Sequence, residues 1–167
     1  MKRLFLVLIL ALAGYAAYAQ SGVEQLRQRL ENGCVRFDYS LTVEGKVPVK
    51  NSGKAVIDGD RYFITGNGTE VHCDGTTLWT VDLEAREVYV ENSTGVREFL
   101  ADPAAYLDKV SKLKVGESSA SGVYSDSGNS IRFNLSSIRN SESGSGGDVF
   151  SYDTSALGSD WVVTDLR

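Results

Sequence analysis

The chain has 167 residues, 42% hydrophobic, 23% charged and 10% aromatic, an ordinary globular composition at a length where one domain is the default. Its 17 basic and 22 acidic residues leave a net charge of −5, which argues against a nucleic-acid backbone or an anionic lipid surface as the main partner. One histidine, His72, and two cysteines, Cys34 and Cys73, leave little for a histidine acid/base pair, a thiol/imidazole pair or a four-ligand zinc site. No catalytic residue, metal or cofactor is expected, and the composition tilts toward a binding protein rather than an enzyme.

At the N-terminus, Lys2 and Arg3 precede an apolar run from Leu4 to Ala13, and Ala17-Tyr18-Ala19 follows. That is the pattern of a secretory signal peptide: a basic start, a short apolar core and small residues for cleavage. The core is too short for a span of about 20 residues. No cysteine follows closely, so the chain is not expected to be a lipoprotein itself. Residues 1–19 are therefore predicted to be removed, leaving residues 20–167 as a single exported domain. Loss of Lys2 and Arg3 makes that domain more acidic still.

Val23, Leu26 and Leu30 then recur at helical spacing between polar residues, predicting an amphipathic helix with Ser21 as N-cap and Gly33 beyond its end. From Phe37 to Glu44 the period changes to two. Phe37, Tyr39, Leu41 and Val43 alternate with Asp38, Ser40, Thr42 and Glu44, as in a strand with one apolar face. Further strands are predicted at Gly53–Asp58, Arg61–Gly66, Thr69–Cys73, Thr77–Asp82 and Arg86–Asn92. Asp58-Gly59, Asn67-Gly68 and Asp74-Gly75 supply the turn residues between them. Connections so short join only antiparallel neighbours, so residues 35–92 read as a six-stranded meander.

Asp102-Pro103 gives an N-cap and a first-turn proline, and Tyr106, Val110 and Leu113 mark the apolar stripe of a second predicted helix. More than half of residues 116–147 are Ser or Gly. Around a strand at Ile131, Phe133 and Leu135, that composition fits low-complexity disorder or long mobile hairpin loops. Alternating runs at Val149–Asp153 and Trp161–Leu166 close the chain. The predicted class is α+β: a curved antiparallel sheet with helices covering its concave face.

Candidate chemistry is sparse. His72 shares its strand parity with Glu70 and Asp74 and is expected to face solvent or a neighbouring strand. The pairs Asp58/Asp60 and Asp82/Glu84 sit at strand ends, where carboxylates satisfy turn amides. Ser143–Gly147 has neither the lysine nor the following helix of a phosphate cradle, and Gly144-Ser145-Gly146 is only a degenerate nucleophile elbow. Export permits a disulfide, but Cys73 falls on the apolar parity of its strand and Cys34, if it begins the next strand, on a polar one, which disfavours a bridge unless Cys34 belongs to the connecting loop. The aromatic and aliphatic side chains are more informative. Phe37, Tyr39, Leu41, Tyr62, Ile64, Leu78, Trp79 and Tyr89 on the strands, with Tyr106 and Val110 on the second helix, could form a plain packed core. They could equally line an apolar cavity for a hydrophobic ligand.

Several segments resemble the LolA family of periplasmic lipoprotein carriers. They are the Leu26-Arg27-Gln28-Arg29-Leu30 helix, the strand start Ser52-Gly53-Lys54 and, above all, Cys73-Asp74-Gly75-Thr76-Thr77-Leu78-Trp79-Thr80-Val81-Asp82 followed by Glu87-Val88. The order of parts agrees from about Val23 to Leu113. Phe150-Ser151-Tyr152-Asp153 and Val163-Thr164-Asp165-Leu166-Arg167 resemble the closing strands of LolA-like proteins from Bacteroidetes. The resemblance implies a half-open antiparallel barrel lidded by helices. It also implies a monomeric periplasmic carrier that shields the acyl chains of a lipoprotein, or another lipid, between an inner-membrane release complex and an outer-membrane acceptor. A lipid-binding sensor or regulatory module acting through a protein partner is the alternative. The chain departs from the family where a basic residue and proline precede the third strand: Ile57-Asp58-Gly59-Asp60-Arg61-Tyr62-Phe63 lacks that motif, so Arg61 receives no lid role. The region after Leu113 also reads as short of strands, implying a smaller or more open cavity.

Overall fold

The computed structural model describes residues 33–93, 109–115, 118–126 and 129–167. The predicted signal peptide, the helix around Val23–Leu30 and Tyr106 lie outside these residues. Among the described residues there are ten strands: β1 (Gly33–Val43), β2 (Val49–Asp58), β3 (Arg61–Gly66), β4 (Thr69–Cys73), β5 (Thr77–Asp82), β6 (Glu87–Asn92), β7 (Val110–Val115), β8 (Ala120–Asp126), β9 (Asn129–Glu142) and β10 (Val162–Asp165). They form one sheet in the order β10-β6-β5-β4-β3-β2-β1-β9-β8-β7. Every neighbouring pair is antiparallel except β10, which lies parallel to β6.

The meander β1–β6 is the predicted one, and its turns use the predicted residues. Gly59, Asn67, Gly68 and Gly75 all take positive φ, at 62°, 50°, 76° and 100°, the region tight hairpin turns demand. Asp74 Oδ1 accepts from the Thr76 and Thr77 amides and from Thr76 Oγ1. Asp82 Oδ1 accepts from the amides of Glu84 and Ala85. Both are Asx turns, the role expected of strand-end carboxylates.

The α+β expectation is overturned. Among the described residues there is no helix of seven residues or more, and the sheet is mixed rather than wholly antiparallel. Val110 and Leu113, assigned above to a helix, belong to β7. The Ser/Gly-rich region is neither disorder nor loop over most of its described length, because it contains β8 and β9 paired as a hairpin. The region after Leu113, read above as short of strands, carries the end of β7 and all of β8, β9 and β10.

Bulges in β9 and β7 interrupt the alternation. In β9 an extra residue stands between the partners of Arg36 and Asp38, where Ser137 takes φ 55°. It lets Ile138 stay on the face of Ile131, Phe133 and Leu135, and all four are buried. In β7 the register shifts between Ser111 and Lys114, with Lys112 at φ 53°.

After β9 the chain crosses one face of the sheet. The 3₁₀ turn Gly147–Phe150 stands where the alternating run Val149–Asp153 predicts a strand. A second 3₁₀ turn, Thr154–Ala156, follows, with Asp153 accepting from the Ser155 amide. Phe150 is buried against Cys34 and Val56, with Phe63 and Val149 at the margin. Tyr152, Leu157 and Trp161 pack on Val81, Val88 and Val90 beside Trp79. Apolar packing of this strap on the sheet outweighs the short period-two pattern, and β10 then joins the edge of β6. The strap starts from a polar anchor. Buried Asp58 accepts from Arg61 Nη2 at 2.6 Å, Ser143 Oγ at 2.7 Å and the Gly144 amide at 2.8 Å. The Arg61 guanidinium lies 4.8 Å from the centre of the Phe150 ring, a cation–π distance.

Candidate ligand-binding face

Directly paired residues of an antiparallel sheet share a face, so the register sorts the predicted site residues. One row joins Val35, Ile57, Tyr62, Cys73 and Leu78; the next joins Phe37, Ala55, Ile64, Val71, Thr80 and Tyr89. On the other side of β1, Tyr39 pairs with Leu135, Leu41 with Phe133, and Leu135 with Ala120. Tyr124 pairs with both Ile131 and Val110. The result is one apolar face that runs from β5 to β7, and at β6 it gives way to exposed Tyr89 between Glu87 and Glu91. Phe37, Tyr39, Leu41, Tyr62, Ile64, Leu78, Tyr89 and Val110 all belong to it. Trp79 does not: neighbours along a strand point to opposite faces, and its ring packs under the strap. Tyr106 lies outside the described residues.

Most of this face is buried, with Leu41, Ala55, Ile57, Phe133 and Leu135 almost without exposure, whereas Tyr89 toward the β6 edge is exposed. Among the described residues the substantial contacts between non-neighbouring elements are those of the Gly147–Phe150 turn with β3 and β4, on the strap side. Two glycines give the large rings room. A Cβ on Gly122 would stand 2.7 Å from the Phe133 ring, and one on Gly66 would stand 2.6 Å from the Tyr39 hydroxyl. That hydroxyl shares its one proton between Asn51 Oδ1 at 3.0 Å and Thr65 O at 3.3 Å, so the ring is fixed at its polar tip.

Glu87, Glu91 and Asp82 mark the polar margin of this face, and beside Tyr62 it holds a buried polar cluster. Cys73 Sγ donates to Ser93 Oγ at 3.1 Å and accepts from the Gly75 amide at 3.4 Å, and the Tyr62 hydroxyl joins the same cluster. Burial pushes the Cys73 thiol up, although the hydrogen bonds to Ser93, Gly75 and Tyr62 oppose it; burial likewise raises Tyr62 and Tyr39. A thiol held in its neutral form is the opposite of an activated thiolate. Cys34 is buried on the strap side, and both cysteines are free, in line with the parity argument.

His72 departs from its expected setting. It lies on the face opposite Cys73, as its parity requires, but the strap covers it and it is only 7% exposed. Its ring lies 4.7 Å from Phe63 and 5.0 Å from Tyr152 between centres. Nδ1 is 2.7 Å from Val149 O and Nε2 is 3.3 Å from Glu70 Oε2. Since a carbonyl oxygen only accepts, Nδ1 carries the proton. No local sequence pattern points to this contact, because Val149 lies 77 residues away.

No family model and no curated protein matches the chain.

Proposed function

We propose that the protein is a periplasmic carrier that shields the acyl chains of lipoproteins for delivery to the outer membrane. The observation that carries this reading is the continuous apolar face from β5 to β7, rich in large side chains and opposite the face that the strap covers. The signal-peptide pattern and the LolA-like segments around Asp74-Gly75 and Leu78-Trp79 support it. A buried methylene contributes about 0.8 kcal/mol, so acyl chains leave a membrane only where comparable apolar surface replaces it. The reading requires no covalent chemistry. Instead it requires apolar surface and a means of release, which follows if the acceptor binds the chains more tightly.

The test is release of acylated lipoproteins from spheroplast membranes by the purified mature protein. Stoichiometric release into the soluble fraction is expected. No release at a large excess of protein contradicts the proposal.

A further inference from the structure

On the strap side of the sheet, but beyond the strap at the β7 end, a groove of about 300 Å³ crosses β1, β9, β8 and β7. The register builds it from two rows. Thr42 pairs with Arg132, which pairs with Val123; Ser40 pairs with Asn134, then Ser121, then Lys114. Lys112 joins the lining through the β7 bulge. Its φ of 53° is a left-handed conformation that a lysine seldom adopts, and a bulge is a recurrent means of re-aiming one side chain. Here it brings a second ammonium to the face occupied by Lys114.

The charge of the groove is unlike that of the chain. Acidic residues outnumber basic ones in the whole sequence, yet three cations and no carboxylate line the groove among the described residues. Arg132 is engaged by Glu44. Lys112 and Lys114 are exposed, and two like charges on a strained strand are an arrangement that an anion would stabilise. We propose that this groove binds a phosphate group. Two ammoniums act as point charges on its oxygens, and the Ser40, Thr42 and Asn134 side chains offer further donors from neighbouring strands. The proposal does not depend on acyl-chain binding: the groove's charged and polar side chains lie on the opposite face, although Phe133 and Gly122 also contribute to its lining.

Amide chemical shifts of the full mature chain, titrated with inorganic phosphate at constant ionic strength, test it. Acetate is the control, and co-sedimentation with phosphatidylglycerol vesicles, against phosphatidylcholine alone, is the second arm. Saturable shifts around Lys112, Lys114 and Asn134 with phosphate are expected, with at least a tenfold loss of affinity in the Lys112→Gly/Lys114→Gln double variant. Glycine accepts the positive φ, so the double variant removes charge without backbone strain; an unchanged melting transition verifies its fold. Vesicle binding lost in the same variant identifies the phosphate as a lipid headgroup, and phosphate binding without vesicle binding identifies a free phosphate ester. Absence of saturable phosphate shifts, or equal affinity in the double variant, overturns the proposal.

Discussion

Asp58 offers the sharpest test of how the strap is anchored. Its side chain is 1% exposed and receives three hydrogen bonds, from Arg61, Ser143 and Gly144. Hydrogen bonds to a charged group contribute roughly 1.5–3 kcal/mol each. Asp58→Ala removes all three, but the carboxylate no longer has to be desolvated, and the Arg61 side chain, 39% exposed, can rehydrate. The net loss should be about 3–4 kcal/mol, within the range for removing one partner of a buried pair. Asp58→Asn is gentler. Its amide oxygen can take the place of Oδ2 and accept from both Arg61 and Gly144, while its NH₂ donates to the rotatable Ser143 hydroxyl. Only the charge is lost, and the expected cost is about 1–2 kcal/mol. Urea denaturation with an unchanged slope measures both values. An alanine variant that loses less than about 1 kcal/mol, or an asparagine variant as unstable as alanine, would refute this account of the anchor.

Phe133→Ala should cost about 3–5 kcal/mol, read from the same urea transition, because its ring is buried against Gly122 and leaves a cavity. Phe150→Ala should cost about 3–4 kcal/mol and speed limited proteolysis within residues 147–161 before any cut in β1–β6; equal rates in the two regions would count against a strap held by this ring. Alkaline pH should also destabilise the fold. Burial raises the Cys73 thiol and the Tyr62 and Tyr39 hydroxyls above their ordinary values of 9.0 and 10.0, so the native state keeps protons that the unfolded chain has released. The stability is complete below about pH 9 and falls as pH rises beyond it. A urea midpoint that declines from about pH 9 upward, and less steeply in Tyr62→Phe, is the expected result; a flat midpoint would contradict it.

The meander was legible because its turns declare themselves. Asp58-Gly59, Asn67-Gly68 and Asp74-Gly75 each supply a positive-φ position where the strands reverse, and the strands between them alternate. The second half hid its strands for physical reasons. A bulge breaks the period-two alternation of β7 between Ser111 and Lys114, and the three-residue step from Val110 to Leu113 in the sequence is the spacing of a helix. Ser137 likewise inserts an extra residue between Leu135 and Ile138 in β9. The serines that suggested low complexity, such as Ser121, Ser125 and Ser136, alternate with the buried Ala120, Tyr124 and Leu135. Among the site residues, parity alone separates Leu78 from Trp79. What no local pattern could supply was the strap, since Val149 reaches His72 and Ser143 reaches Asp58 across long stretches of sequence.

Native mass spectrometry of the purified mature protein with palmitate tests the central claim most directly. Acyl binding on the face from β5 to β7 predicts a saturable adduct of one or more acyl chains, weakened by Leu41→Asn or Phe37→Ser in variants whose urea transitions remain cooperative. A bare protein mass at saturating palmitate, with no bound lipid carried through purification, would show that this face is a packed core and contradict the carrier.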